Sequence, residues 1–154
     1  TGQQVTPGNG SGPGDNGSNN NGNNPDDNDD NNDDTPVSNN LKITIGPVSF
    51  NATLENNETA KAFKRLLPMT VDMSELHGNE KYYYLSNGLP TASSNPGTIR
   101  TGDLMLYGST CVVLFYETFS TSYTYTRLGR ITNPSGLAST LGSGGVNVTF
   151  EITD

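Results

Sequence analysis

Six side chains in the second half of this 154-residue sequence have the types and spacing needed to bind another molecule. Tyrosine offers apolar area with a hydrogen-bonding tip, and arginine offers a rigid fork of donors. Together these groups suit a peptide carbonyl or a carboxylate better than a phosphate-rich polymer. The residues that we predict to line such a groove are Arg100, Tyr107, Phe115, Tyr123, Tyr125 and Arg127.

Few residues could do covalent or metal chemistry. His77 is the only histidine and lies in a His-Gly-Asn turn, which predicts an exposed loop residue. A protein zinc site would need further His or Cys ligands. Cys111 is the only cysteine and lies in an apolar segment, so we expect an inert core residue. No serine stands in a G-x-S-x-G motif. We therefore predict no metal site and no cofactor, and we name no catalytic residue.

Three strands position the candidate groove. They are predicted at Asp103–Tyr107, Cys111–Glu117 and Tyr123–Ile131, joined by short turns. The middle strand is almost wholly apolar, which indicates that both of its faces are buried. The third alternates, with its tyrosines and Arg127 on one face. This arrangement is typical of a small closed β-barrel. The Pro/Gly-containing loop Ser86–Thr98 is predicted to roof the groove.

The first half of the domain predicts a hairpin followed by a helix. Apolar residues alternate along Leu41–Leu54, and Asn57 can cap a helix that ends at Pro68. Its expected apolar stripe includes Leu66, whereas Lys64 is expected to face water. With a short helix near Ser135–Leu141 and a last strand, the count is about eight strands and two helices. The predicted core includes Ile43, Phe50, Phe63, Leu66, Val113, Phe115, Val148 and Phe150.

Several separated motifs resemble a known family. Gly102-Asp103, Leu114-Phe115-Tyr116, Leu128-Gly129-Arg130-Ile131 and Gly136-Leu137 occur in the order seen in the second half of a cyclophilin-type barrel. The chain most closely resembles the bacterial cyclophilin-like domains, which share that fold without the full isomerase signature. The resemblance spans roughly residues 41–152. It implies a mainly β, closed cyclophilin-like barrel.

The resemblance also implies what to expect of activity. Prolyl isomerisation has a barrier of ~18–20 kcal/mol, and classical cyclophilins supply a strand arginine closely followed by a Phe-Met-x-Gln run. The corresponding stretch, Met69–Leu76, has no arginine, no Phe-Met pair and no glutamine, and the chain has no tryptophan. By motif order, Phe115 and Tyr125 correspond to the family's pocket phenylalanine and pocket histidine. Asp103 is expected to form a turn rather than to act in catalysis.

Residues 1–40 differ sharply in composition from the rest. They hold seven of the sixteen acids and none of the eight Lys/Arg, so they carry −7 of the net charge of −8. Their Asn, Asp and Gly with scattered Pro predict a disordered spacer, followed by a single domain over residues 41–154. The Asp-x-Asp pattern of Asp26–Asp34 leaves calcium binding open, although an EF-hand spacing is missing. No basic patch supports nucleic-acid binding, and no segment approaches the ~20 apolar residues of a membrane span.

Three functional hypotheses remain open at this stage. The first is a binding module for a proline-containing peptide or a small ligand. The second is an active prolyl isomerase that uses Arg100 or Arg127 in a rearranged site. The third is a structural envelope protein. The chain starts at Thr1, and its polar spacer resembles the tether of a bacterial envelope lipoprotein. We therefore expect a monomer at the cell envelope or outside the cell, lipid-anchored upstream of this sequence.

Overall fold

Eight antiparallel strands close into a barrel in the computed structural model, which describes residues 37–154. Around the barrel the strand order is 1-10-3-4-7-6-9-2, and strands 5 and 8 form a separate two-stranded sheet. The elements in chain order are β1 (Asn40–Ile45), β2 (Val48–Leu54), α1 (Glu58–Lys64), β3 (Met69–Leu76), β4 (Glu80–Tyr84), β5 (Thr98–Ile99), β6 (Asp103–Tyr107), β7 (Cys111–Phe115), β8 (Phe119–Ser120), β9 (Thr126–Ile131), α2 (Leu137–Leu141) and β10 (Val146–Thr153). The predicted mainly β barrel with two short helices is confirmed.

Helix α1 packs into the barrel as predicted, but its apolar stripe is shorter than expected. The Asn57 side chain caps the helix by accepting a hydrogen bond from the Ala60 N–H at 2.7 Å. Phe63 is fully buried and meets the Phe150 ring edge to face, with centroids 5.7 Å apart. The prediction that Leu66 belongs to the core is wrong, because the helix ends at Lys64 and Leu66 is 42% exposed.

The side chain of Lys64 also departs from expectation. It is buried rather than facing water. Its Nζ donates to the Ser38 carbonyl at 3.2 Å and to Asn39 Oδ1 at 2.8 Å. Burial lowers the pKa of Lys64, and the nearby charge of Lys61 lowers it further. The chain just before β1 is therefore tied to the end of α1.

Strand β7 has both faces buried, as its apolar sequence predicted. Val112 and Leu114 enter the main core inside the barrel, whereas Cys111, Val113 and Phe115 pack on the outer side. The strand ends at Phe115, two residues earlier than predicted. Strand β9 begins at Thr126 rather than at residue 123, where the sequence predicted its start. The chain between them leaves the barrel to form β8.

The predicted spacer lies almost wholly in residues 1–36, which are outside the described residues. Within the described part, Val37 is exposed and the Ser38 hydroxyl donates to the Thr153 carbonyl at 2.6 Å. None of the helices in residues 37–154 has the length and apolar character needed to cross a bilayer.

Candidate functional site

The outer side of β6, β7 and β9 carries a second apolar cluster, separate from the main core. Cross-strand pairing places Met105 between Val113 on β7 and Arg127 on β9. We call this group the outer cluster. Its buried members are Ile99, Met105, Cys111, Val113, Phe115 and Tyr125, with Tyr82 and Phe119 partly buried against them.

Aromatic rings extend the outer cluster into a continuous row that ends in solvent. The successive ring centroids are 5.7, 5.5, 5.5 and 6.0 Å apart, which are distances typical of attractive aromatic pairs. Phe119 is partly buried, Phe115 and Tyr125 are buried, and Tyr107 and Tyr123 are 47% and 63% exposed. We call this the aromatic row; from its inner to its outer end it consists of Phe119, Phe115, Tyr125, Tyr107 and Tyr123.

A buried carboxylate beside the aromatic row orients the arginines. Asp103 is fully buried, and its Oδ1 accepts a hydrogen bond from Arg130 Nε at 3.2 Å. Its Oδ2 lies 3.9 Å from Arg127 Nη1 and accepts the backbone N–H of Arg100 at 2.9 Å. We call Arg100, Arg127 and Arg130 the arginine cluster. Asp103 thus does hold a turn, as expected from the sequence, but it also pairs with two guanidinium groups.

Sequence reasoning missed Arg130 because β9 contains a β-bulge. Asp103 pairs with Arg130 and Leu104 with Gly129, but the next pair is Met105 with Arg127. Leu128 is the extra residue, so strict alternation fails after Arg127 and the Arg130 side chain points outward. Bulges re-aim side chains in this way and are common near functional sites. The only sequence signal available was the Gly before Arg130, since glycine within a strand often marks a bulge.

The segment of residues 86–97 lies against β9 and α1. Ser94 and Tyr125 exchange two backbone hydrogen bonds of 3.0 and 2.9 Å. The Ala92 N–H donates to Thr126 Oγ1 at 3.1 Å, and Thr59 Oγ1 donates to the Pro90 carbonyl at 2.6 Å. The loop is therefore anchored beside the aromatic row at several points along its length.

The structure brings most of the predicted site residues together. Tyr107, Phe115, Tyr123 and Tyr125 all belong to the aromatic row, and Arg127 lies beside Met105 of the outer cluster, its cross-strand partner on β6. Phe115 and Tyr125 are buried by the segments that cover them, and burial raises the pKa of Tyr125. The Arg100 side chain is exposed. That these residues bind a ligand stays a prediction.

His77 and Cys111 have the environments that the sequence predicted. His77 is exposed and occupies a turn with φ of 57°. Cys111 is buried, and burial raises the pKa of its thiol to about 11. Its thiol is therefore protonated and poorly reactive near neutral pH. Residues 37–154 contain no group of three or more His, Cys, Asp or Glu side chains arranged to hold a metal ion.

A buried polar cluster at one end of the barrel was not expected. Lys81 is fully buried, and its Nζ donates to Glu75 Oε1 at 2.8 Å and to two backbone carbonyls, those of Gly142 at 2.8 Å and Gly144 at 2.6 Å. The Tyr116 hydroxyl also donates to Glu75 Oε1, at 2.7 Å. Burial alone would raise the pKa of Glu75, but the hydrogen bonds from Lys81, Tyr116 and the Gly78 N–H lower it overall. These contacts tie the loop after α2 to the barrel.

A polar recess of about 550 Å³ lies elsewhere, beside β2 and the loop after β9. Its walls carry hydroxyl and amide groups and no charged side chain. None of the predicted site residues contributes to it. The lining residues are Val48, Ser49, Phe50, Asn51, Thr132, Asn133, Ser135 and Thr140.

Comparison with known proteins supports the fold seen here. The sequence model of the Cyclophilin-like family matches residues 43–151. No curated protein matches the chain. The solution structure of the hypothetical protein AF2241 from Archaeoglobus fulgidus superposes with a TM-score of 0.58 at 19% identity, covering 76% of this chain and 96% of that one. At this identity the likeness concerns the fold alone.

Proposed function

This chain belongs to the cyclophilin-like family, and from that premise we propose that its barrel is a binding module for a peptide or small ligand. The observation that supports this most is the aromatic row, which passes from buried Phe115 to the exposed rings of Tyr107 and Tyr123. Exposed tyrosines offer apolar area for a proline ring, and Arg127 offers donors for a carbonyl or carboxylate.

The arrangement suggests how such a ligand would be held. Tyr107 is held between two rings: it meets Tyr123 edge to face and Tyr125 at a tilt of 55°. Asp103, itself buried, restrains Arg127 by charge. Side chains whose orientation is fixed before binding lose less entropy when a ligand arrives. A peptide lying along the exposed end of the row would place its carbonyl groups toward the arginine cluster.

Titration with a proline-containing peptide tests this proposal. Tyr107→Ala and Tyr123→Ala should each weaken binding, by roughly tenfold if the ring is a central contact. Leu66→Ala is the matched control, because it also removes an exposed apolar side chain but lies at the end of α1. Equal binding by all three variants would contradict the proposal.

We propose further that isomerase chemistry is degenerate in this chain. The exposed positions of β3 are Thr70, Asp72, Ser74 and Leu76, and none supplies the cationic donor that classical cyclophilins use on their corresponding strand. Stabilising the twisted amide needs a donor aimed at it. A prolyl-peptide assay should give a rate near the uncatalysed one. Turnover that is lost in Arg127→Ala or Arg100→Ala would favour an active isomerase instead.

We also propose that the module works at the cell envelope or outside the cell, with residues 1–40 as the spacer to a lipid anchor. The support is the composition of that segment, which is polar and acidic with almost no apolar residues. Fractionation of the source cells should find the protein with the envelope or in the medium. Recovery from the cytoplasm would contradict this placement.

A further inference from the structure

The arginine cluster carries more positive charge than its surroundings neutralise. Arg127 and Arg130 share the single carboxylate of Asp103. Within residues 37–154, no other carboxylate lies within 4 Å of the three guanidinium groups. Glu55 and Glu117 belong to adjoining segments but make no such contact. The guanidinium groups of Arg127 and Arg130 meet at Asp103, and Arg100 joins them through its backbone N–H.

Strand register places this cluster close to where the N-terminal segment meets the barrel. Asn40 pairs with Thr53, and Thr53 pairs with Arg130. Each step between neighbouring strands is about 4.8 Å. The Cα atoms of Asn40 and Arg130 are therefore about 10 Å apart, and both residues are exposed.

The segment that precedes Asn40 has the opposite charge. Asp26–Asp34 contains six aspartates and no basic residue. Ser38 is hydrogen-bonded to Thr153 and Lys64, so the reach is counted from there. Asp34 is four residues before Ser38, a reach of up to about 14 Å, and the earlier aspartates reach farther. The linker is thus long enough to bring the acidic run onto the cluster. A short tether also raises the effective concentration of the run at the cluster to the millimolar range.

We propose that the acidic run Asp26–Asp34 docks on the arginine cluster of its own barrel. The contact is electrostatic, between several carboxylates and the exposed guanidinium groups of Arg127 and Arg130, and it needs no single conformation of the run. It is weakened by salt, because screening shortens the range of such attraction. The docking stands whether or not the aromatic row binds a ligand.

If the proposed binding function is also correct, the docked run competes with any ligand that places a carboxylate on Arg127. Removing the run would then tighten ligand binding at low salt and leave it unchanged at high salt. This consequence rests on the proposed function, whereas the docking itself can be measured on the protein alone.

Paramagnetic relaxation measured by NMR tests the docking. A nitroxide is attached to Asn31→Cys, while Cys111 stays unlabelled because its thiol is buried and its pKa is raised to about 11. Broadening at the arginine cluster should exceed that at surface sites equally far from Asn40. It should fall at least about threefold between roughly 20 mM and 500 mM NaCl, as the Debye length drops below 5 Å.

Two charge-neutralised variants identify the groups responsible. Changing the six aspartates of residues 26–34 to Asn leaves the barrel untouched and should reduce the broadening to the high-salt level. The double variant Arg127→Gln/Arg130→Gln should do the same. Its matched control is Lys42→Gln/Lys61→Gln, which removes two exposed positive charges outside the cluster and should leave the broadening unchanged.

Two outcomes would overturn the proposal. One is broadening that does not respond to salt or to the aspartate-to-Asn variant, as expected of a tether without a preferred site. The other is broadening in a mixture in which one set of molecules carries the nitroxide and a second set carries the isotope label. The run would then be docking on a second chain. The aspartate-to-Asn variant keeps the test decisive even if the arginine double variant fails to fold.

Discussion

Phe63 shows most clearly what a single side chain contributes to this barrel. Its ring is fully buried and contacts the Phe150 ring across the barrel interior. Phe63→Ala should lower the free energy of unfolding by about 3–5 kcal/mol, because it removes the ring and leaves a cavity. Leu66 is exposed and lies just after the end of the same helix, so Leu66→Ala should lower the free energy of unfolding by less than about 1 kcal/mol. Urea denaturation measures both, and equal costs would show that α1 does not plug the barrel.

Glu75 should make the stability of the protein depend on pH. Its folded-state pKa lies below the ordinary value of 4.5 because hydrogen bonds from Lys81, Tyr116 and the Gly78 N–H outweigh the effect of burial. The stabilisation is therefore fully present above pH 4.5 and is lost as the pH falls through the folded-state pKa.

Urea denaturation between about pH 3 and pH 6 checks this expectation. The free energy of unfolding should fall less steeply on acidification in Glu75→Gln than in the unchanged protein. The variant is less stable above pH 4.5, where Lys81 loses a charged partner, and this difference shrinks as Glu75 of the unchanged protein becomes protonated. Glu151→Gln, in an exposed pair with Lys42, is the control and should keep the original slope. A slope unchanged in Glu75→Gln would contradict the account.

Individual residues also mark the limit of sequence reasoning. Phe115 and Tyr125 could be placed on one surface because alternation holds up to Arg127. Arg130 could not, because the bulge at Leu128 reverses the alternation just before it. The burial of Lys81 was equally hidden, since the carbonyls that accept its hydrogen bonds come from a loop about sixty residues later in the chain.

At the scale of elements, β2 and β9 approach so closely that only glycine fits at one point. A Cβ atom at Gly129 would lie 2.5 Å from the Thr53 carbonyl oxygen, which belongs to the backbone and cannot move aside alone. Gly129→Ala should therefore destabilise the barrel by about 1–3 kcal/mol or more. At Gly88 the added atom would meet the movable Ser109 side chain at 3.0 Å, so Gly88→Ala should cost less.

Thermal denaturation of the two alanine variants compares these costs. A Gly129→Ala protein as stable as Gly88→Ala would mean that β2 and β9 are not held at this spacing.

The sequence predicted nearly all of the strands, because apolar alternation is strong in β1, β2 and β10. The predicted β7 ended too late and the predicted β9 began too early. Residues 116–125, which include β8, form an unbroken run of polar and aromatic residues, so the sequence does not show where the chain leaves the barrel.

At the scale of the whole molecule, truncation can locate the boundary between the N-terminal segment and the barrel. Removing residues 1–36 should change Tm by no more than about two degrees, because contacts of exposed, screened charges contribute little to stability. Removing residues through Asn39 should lower Tm further, since the buried Lys64 would lose its acceptors on Ser38 and Asn39. Scanning calorimetry of the two truncated forms measures the difference. A large drop already after residue 36 would show that residues 1–36 contribute more stability than the proposed electrostatic docking can supply.

The central claim is that the exposed end of the aromatic row is the ligand-binding surface of this cyclophilin-like barrel. A crystal structure of the full chain with a bound proline-containing peptide tests it most directly. The account predicts peptide density against Tyr107 and Tyr123, with a peptide carbonyl or carboxylate within hydrogen-bonding distance of Arg127. Density in the polar recess beside β2 instead, or no density at peptide concentrations that saturate the solution titration, would contradict it.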